Sequence, residues 1–257
     1  MQTDFFAAIS GVFERVERPV VEFFTGAGIS ADSGIATFRD KDTGLWSQVD
    51  PQEVCSMSAW ARDPELVFGW HLWQARLMSQ AAPNPGHFAA ATWEASSLCD
   101  AHVTTQNIDS LHEAAGSRNV AHLHGNVAKF ECGICGRPYR GEVPLPEEPV
   151  ERIAPPECPA CGNLVKPAVT FFGEALPARD WQVAQERMLA ADLVIIVGTS
   201  GVVFPAAGLP VEAKRAGATL VEVSPQPTDL TPLCSATWST TAAEAGPASQ
   251  EFISAPY

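Results

Sequence analysis

The chain has no apolar run approaching the roughly 20 residues that a membrane span requires. Its first 18 residues carry Asp4, Glu14 and Glu17, where a secretion leader would carry a basic stretch ahead of an apolar core. A cytoplasmic location is therefore expected. Positive charge is also scarce: 16 Lys and Arg stand against 30 Asp and Glu, a formal net charge of −14. That balance disfavours tight nonspecific binding to DNA, RNA or anionic lipid, and it attracts lysine-rich protein segments. The same charge also serves solubility alone. No internal repeat of roughly 20 to 50 residues is visible, which sets solenoids and propellers aside. A disulfide framework is missing too. Four of the seven cysteines form two C-x-x-C pairs, which points to metal in a reducing compartment, and Cys55, Cys99 and Cys234 stand apart as packed or idle.

The 257 residues are 46% hydrophobic and 18% charged, enough to bury one large core with room for a smaller inserted module. Phe5, Phe6, Ile9, Val12, Phe13 and Val16 recur at helical spacing, and Val20 to Thr25 then reads as a strand. Further strand-like runs cover 101 to 105, 168 to 172, 193 to 197 and 218 to 223. Helical stretches lie at 63 to 82, 85 to 98, 180 to 190 and 205 to 216. Nearly continuous apolar strands alternating with helices predict an α/β fold, a doubly wound parallel sheet covered on both faces. Between Lys129 and Lys166 the composition shifts to Cys, Pro, Gly and Glu and the apolar periodicity fades. This is the expected insertion, 129–166, set within a domain formed by 1–128 and 167–257.

Cys132 and Cys135, then Cys158 and Cys161, repeat C-x-x-C-G with 22 residues between the pairs. Two such knuckles offer four thiolates, a set that suits Zn2+ and leaves no open coordination position, so the metal is expected to be structural. A redox pair, unliganded core cysteines and a nucleic-acid-binding zinc ribbon are the competing readings. The acidic flanks, Glu131, Glu142, Glu147, Glu148, Glu151 and Glu157, argue against the last.

Gly26-Ala27-Gly28-Ile29-Ser30-Ala31 fits G-x-G-x-x-[G/A] directly after a strand, where glycines let backbone approach a pyrophosphate and offer it amide donors. Alone it could be a tight turn, and no acidic residue ends a second strand about 20 residues later to hold a ribose. Gly198-Thr199-Ser200 closes another apolar strand, and two such turns favour a nucleotide over either singly. Thr105 to Asp109 follows a strand, and His122-Leu123-His124-Gly125-Asn126 comes soon after. Amides, a carboxylate and imidazoles gathered at strand ends are costly unless partnered and suggest a polar site. The plainer reading has Asp109 capping a helix and His122 or His124 as satisfied core histidines.

Together these segments resemble the sirtuin family from Val20 to Gln250: GAGISADSGIATFR (26 to 39), TQNIDSLHEAAG (105 to 116), HLHGN (122 to 126), the Cys knuckles, KPAVTFFGE (166 to 174), GTSGVVFPAAG (198 to 208), VEVSPQP (221 to 227) and GPASQ (246 to 250). GTSGVVFPAAG looks most like the bacterial branch related to enzymes that remove acidic acyl groups. The resemblance implies a Rossmann-like sheet with a zinc-binding insertion, and NAD consumed as co-substrate in removing acyl groups from protein lysines, giving nicotinamide and 2′-O-acyl-ADP-ribose. His124 matches the family's general base, a task suited to imidazole because its pKa lies near the working pH. Asn107 and Asp109 match residues that hold nicotinamide and its ribose, with Gln106 and Ile108 beside them. Ala27, Ile29, Phe38 and Arg39 are implied to line the nicotinamide and phosphate side, and Gly26, Gly28, Gly198, Thr199 and Ser200 to cradle phosphate or ribose. Ser224 stands where many members have Asn for the adenosine ribose, and Ala248 matches a backbone contact to adenine.

The resemblance further implies acyl-lysine proteins or peptides as partners, pairing as an extra strand with 171–174 and the segment near Gly201. Thr170, in place of the family's common Val, and Phe172 with Gly173 would flank the lysine tunnel. Relatives that prefer succinyl or malonyl lysine carry Y-x-x-R where this chain has His71 and Gln74. Arg there meets an acyl carboxylate with a charge-assisted bond, so its absence predicts a preference for acetyl, with His71, if protonated, compensating in part. Desuccinylation or demalonylation, mono-ADP-ribosyl transfer or NAD hydrolysis, and non-catalytic binding of NAD or ADP-ribose are the alternatives. A monomer is expected.

Overall fold

Alternate residues of Val20–Thr25 face opposite sides of the sheet, and both sides are buried and, apart from Glu22 and Thr25, apolar. Val21 and Phe23 enter one core and Phe24 another, so the strand is covered on both faces, as its nearly unbroken hydrophobicity requires. The computed structural model describes residues 2–36, 50–149 and 152–255. Its strands are β1 (Val20–Thr25), β2 (Asp100–Thr105), β3 (Val120–His122), β4 (Gly125–Cys132), β5 (Val165–Val169), β6 (Leu193–Val197), β7 (Thr219–Val223) and β8 (Ala236–Trp238). The helices are α1 (Gln2–Phe13), α2 (Pro51–Val54), α3 (Met57–Arg62), α4 (Pro64–Ser79), α5 (Pro85–Ala95), α6 (Leu111–Ala114), α7 (Ala178–Ala190), α8 (Leu209–Ala216) and α9 (Ala242–Ser254).

Six strands form one parallel sheet in the order β3-β2-β1-β6-β7-β8. Strand order reverses between β1 and β6, so a crevice opens beyond their carboxyl ends, the place where open parallel sheets bind ligands. One face is covered by α1, α5 and α9. There Trp93 is fully buried, packs edge-on against Phe13 and Phe23, stacks on Phe252, and donates from Nε1 to the Ser249 carbonyl at 3.1 Å. Burying an aromatic of that size contributes about 2–3 kcal/mol, and the indole N–H remains satisfied. The other face is covered by α7 and α8 through Met188, Leu209, Ile196 and Leu220.

Most of the expected elements lie within a few residues of their sequence positions. The run 168–172 is the exception: it does not join the parallel sheet. Ala168 and Val169 end β5, which pairs antiparallel with β4, and Thr170–Phe172 continue beyond it. Strand-forming residues state that a strand exists and not which strand it meets. The β4–β5 pair carries the cysteine segment on a small core of Cys132, Cys158 and Val165 with Phe130 and Tyr139 against it. Among the described residues no helix is long and apolar enough to cross a membrane.

Candidate active site

The two glycine turns meet at the crevice. Gly28 N–H donates to the Gly198 carbonyl at 2.8 Å, and Gly26 N–H to that of Val197 at 3.1 Å. A Cβ on Gly28 would sit 2.7 Å from the Gly198 Cα, and one on Gly26 2.8 Å from the Thr199 Cβ. The glycines therefore let the β1 and β6 turns touch. Their own N–H groups are engaged by protein carbonyls, which differs from the sequence expectation that they point at a phosphate. Ala27 and Gly198 are half-buried at the junction, Ile29 is buried beneath it, and the half-buried Ser200 borders it. Gln106 Nε2 donates to Thr199 Oγ1 at 2.7 Å, tying the end of β2 to the end of β6. Polar side chains around a glycine-lined crevice at the point of strand-order reversal suit a dinucleotide. Phe38 and Arg39 lie outside the described residues.

Ser30 was not singled out in the sequence, and it is the hub of the crevice floor. Its Oγ donates to Asp109 Oδ2 at 2.9 Å, accepts from Asn107 Nδ2 at 3.1 Å and lies 3.3 Å from His87 Nε2. The Asn84 N–H donates to His87 Nδ1, so the hydrogen of the neutral ring is on Nε2 and points to Ser30. Burial holds His87 down to about 4, consistent with that neutral form. All four side chains are buried and every lone pair or hydrogen of the Ser30 hydroxyl is used. Asn84 also reaches the Ile29 carbonyl at 2.7 Å, fixing the glycine turn from below. Asn84 was legible as the cap of a helix starting Pro85-Gly86, but its contact with Ile29 joins residues 55 apart in sequence.

The two carboxyl oxygens of Asp109 face different ways. Its Oδ1 accepts from the Leu111 N–H at 3.0 Å at the start of α6, while Oδ2 faces Ser30. Burial raises its carboxyl pKa, only partly offset by these bonds and by the charge of His122. Ile108 is half-buried against the core beside α4.

The two histidines of His122-Leu123-His124 divide the work. His122 lies with Nε2 2.7 Å from Glu113 Oε1 and Nδ1 3.2 Å from the Asn107 carbonyl, so both ring nitrogens face acceptors. Burial acts to lower its pKa, but the Glu113 bond and charge outweigh that and raise it. His124 is only half-buried. Its Nδ1 is 2.8 Å from the Gln106 carbonyl, which places the neutral ring's hydrogen on Nδ1 and leaves Nε2 as the basic atom. Burial lowers its pKa, with the Gln106 bond acting the other way. Gly125 follows at φ 79°, and a Cβ there would lie 2.0 Å from the Ala168 carbonyl oxygen. Only glycine allows β5 to run this close behind His124.

On the far side of His124, the Thr170 N–H donates to the His124 carbonyl at 3.0 Å. Phe172 is half-exposed, yet its N–H donates to Cys55 O at 2.8 Å and its C=O accepts from Met57 N–H at 3.0 Å. A peptide strand added at 171–174 would find the Phe172 amide already paired. Gly173 has φ 95° and turns the chain there. Phe172 is exposed as a large apolar side chain, as are Val202, Val203 and Phe204 in the segment that follows β6.

His71 and Gln74 on α4 are both buried. His71 Nδ1 is 2.8 Å from the Val67 carbonyl of its own helix, and its ring packs on Phe171 at 5.1 Å. Burial pushes its pKa down to about 4, so it carries no charge at neutral pH and the compensating role suggested by the sequence is not available to it. Gln74 borders a cavity of about 280 Å3 with Ser33, Ile35 and Leu77. Ser224 Oγ donates to the Gln226 carbonyl at 2.7 Å, just beyond β7, and Ala248 is half-buried on α9.

The four knuckle cysteines come together with all Sγ atoms within 4.8 Å of one another. Cys132 and Cys161 are 3.5 Å apart, and Cys135 and Cys158 3.8 Å. A tetrahedral zinc with bonds of about 2.3 Å places its sulfurs about 3.8 Å apart, close to these two distances, so the set fits Zn2+. The pairs cross between knuckles, so one ion would link both ends of the insertion.

Residues 26–205 match the Sir2 family. The NAD-dependent protein deacylase 2 of Corynebacterium efficiens is 56% identical over 229 residues, 89% of this chain and 90% of that protein. A solved Sir2 homologue in complex with NAD shares the fold at a TM-score of 0.83 with 37% identity, covering 95% of this chain and 93% of that one. A solved Sir2 with deacetylated p53 peptide and 3′-O-acetyl ADP-ribose reaches 0.76 with 30% identity, covering 94% and 96%. With the crevice, the paired glycine turns and the cysteine cluster in one chain, these similarities establish that the protein belongs to the Sir2 family, the sirtuins.

Proposed function

We infer that the chain is an NAD-dependent protein-lysine deacylase. The observation that carries this reading is His124: its Nδ1 is held by the Gln106 carbonyl and its Nε2 is left as a base beside the crevice. NAD supplies the nicotinamide that leaves and the ADP-ribose that takes up the acyl group. The chain's own contribution is placement and proton transfer. Asn107 and Asp109, locked by Ser30, hold the nicotinamide ribose side. Gln106 and Thr199 set the width of the crevice between β2 and β6. His124 takes a proton at Nε2 from a ribose hydroxyl, as general base. Residues 129–166 act as the inserted zinc module. Thr170, Phe172 and Gly173 form the acyl-lysine side, and uncharged acyl groups, acetyl first, are the favoured cargo.

Nicotinamide release from NAD, measured with and without an acetyl-lysine peptide, tests this reading. Release that depends on peptide is expected. Release independent of peptide would instead indicate an NAD hydrolase, and none at all a binding module.

A further inference from the structure

Lys166 opens the segment that ends at Glu174, and its ammonium is almost completely buried, with 4% of the side chain exposed. Nζ lies 2.8 Å from the Val169 carbonyl, 3.1 Å from Glu174 Oε2, 3.4 Å from the Pro167 carbonyl and 3.6 Å from Glu131 Oε1. It also sits 4.5 Å from the centre of the Phe171 ring. The Glu174 oxygen that meets Lys166 accepts in addition the Phe171 N–H at 2.8 Å. One cation thus fixes the chain before the turn at Val169, within it at Phe171 and after it at Glu174.

A buried ammonium is a costly way to fill space. An apolar side chain of similar length would avoid the desolvation, so the pair stabilises the fold weakly at best and its distinctive effect is geometric. That geometry bears on the crevice. The pinned segment donates from Thr170 N–H to the carbonyl of His124, and it holds Phe172 outward while Cys55 and Met57 grip its backbone. The Phe171 ring faces inward between His71, Trp60 and the ammonium, so Phe171 and Phe172 take opposite sides.

We propose that Lys166, with Glu174, is a positioning residue for acyl-lysine binding: it sets the conformation of 170–173 and leaves the nucleotide side untouched. This rests on the deacylase reading given above, in which 170–173 flank the acyl-lysine. Lys166 is buried behind this segment and acts through Phe171 and Val169.

The test compares Lys166→Met and Glu174→Gln with the unaltered protein, in two measurements: KM for an acetyl-lysine peptide at saturating NAD, and Kd for NAD without peptide. Glu174→Gln keeps an acceptor for the Phe171 N–H and removes only the charge. The peptide KM is expected to rise about tenfold in Lys166→Met and by a smaller factor in Glu174→Gln, with the NAD Kd within about twofold in both. An unchanged peptide KM in a folded variant overturns the proposal, as does an NAD Kd that rises in step with KM, which marks general loosening. If Lys166→Met fails to fold, Glu174→Gln decides by the same criteria. Unaltered protein that binds NAD but shows no peptide-dependent turnover overturns the deacylase reading itself, and this proposal with it.

Discussion

The Nδ1 of His124 and the carbonyl of Gln106 are 2.8 Å apart, and this contact decides which ring nitrogen can act as a base. Because burial lowers the His124 pKa below its ordinary value of 6.5, Nε2 stays unprotonated through neutral pH. The acid limb of kcat/KM should therefore have its midpoint below 6.5. His124→Ala should abolish peptide-dependent nicotinamide release with an unchanged circular dichroism spectrum. A midpoint above that value, or an active alanine variant, would contradict the assignment.

Acyl preference follows from the charge state of α4. His71 is held neutral and Gln74 carries no charge, so nothing among the described residues of that helix turn meets an acyl carboxylate with a cation. An uncompensated buried carboxylate costs several kcal/mol. Matched acetyl and succinyl peptides should differ in kcat/KM by about tenfold or more in favour of acetyl. A succinyl preference would end this proposal.

Zinc removal should act on the β4–β5 pair first. The small core of Cys132, Cys158 and Val165 cannot by itself offset the entropy of ordering so long an insertion. Cys132→Ala, or treatment with a strong chelator, should lower the Tm and abolish peptide-dependent activity. Direct metal analysis should find one zinc per chain, lost in Cys132→Ala. A variant with unchanged Tm and activity would show that the thiols need no metal.

Glu22 gives stability a pH dependence. It lies on β1, fully buried, and among the described residues its carboxyl oxygens make no close hydrogen bond, although the Thr104 hydroxyl of β2 is near enough to act on them. Burial pushes its pKa up to about 7 from 4.5, against the smaller opposing effects of Thr104 and the Arg187 charge. A raised folded-state pKa means that its contribution is fully present below 4.5 and is lost as pH rises toward 7. Glu22→Gln should remove that slope, a difference on the order of 3 kcal/mol between the two ends. Urea unfolding at a series of pH values measures it, and parallel profiles for the two proteins would refute the assignment.

Sequence by itself determined the features that depend on near neighbours. The bounds of β1 and β6 match their strand-like runs residue for residue, because a strand buried on both faces is apolar at nearly every position, Glu22 being the exception in β1. The cysteine spacing was enough to mark a four-thiolate set, since each knuckle is a local turn. The turns at Gly26 and Gly198 were likewise visible, although not that they pack on each other.

Tertiary structure decided what depends on distant partners and on burial. Ser30 became the hub only when the fold brought it to His87 and Asp109, 57 and 79 residues away. His71 and His122 are the same residue type, yet one is kept neutral among aromatic rings and the other is drawn toward its charged form by Glu113. Strand propensity at 168–172 could not say that the chain would join β4 and then turn onto the Lys166 ammonium. A residue's conformational preference is set by its own covalent structure and its neighbours, whereas its charge, tautomer and partners are set by the dielectric surroundings and donors that folding brings within a few ångströms.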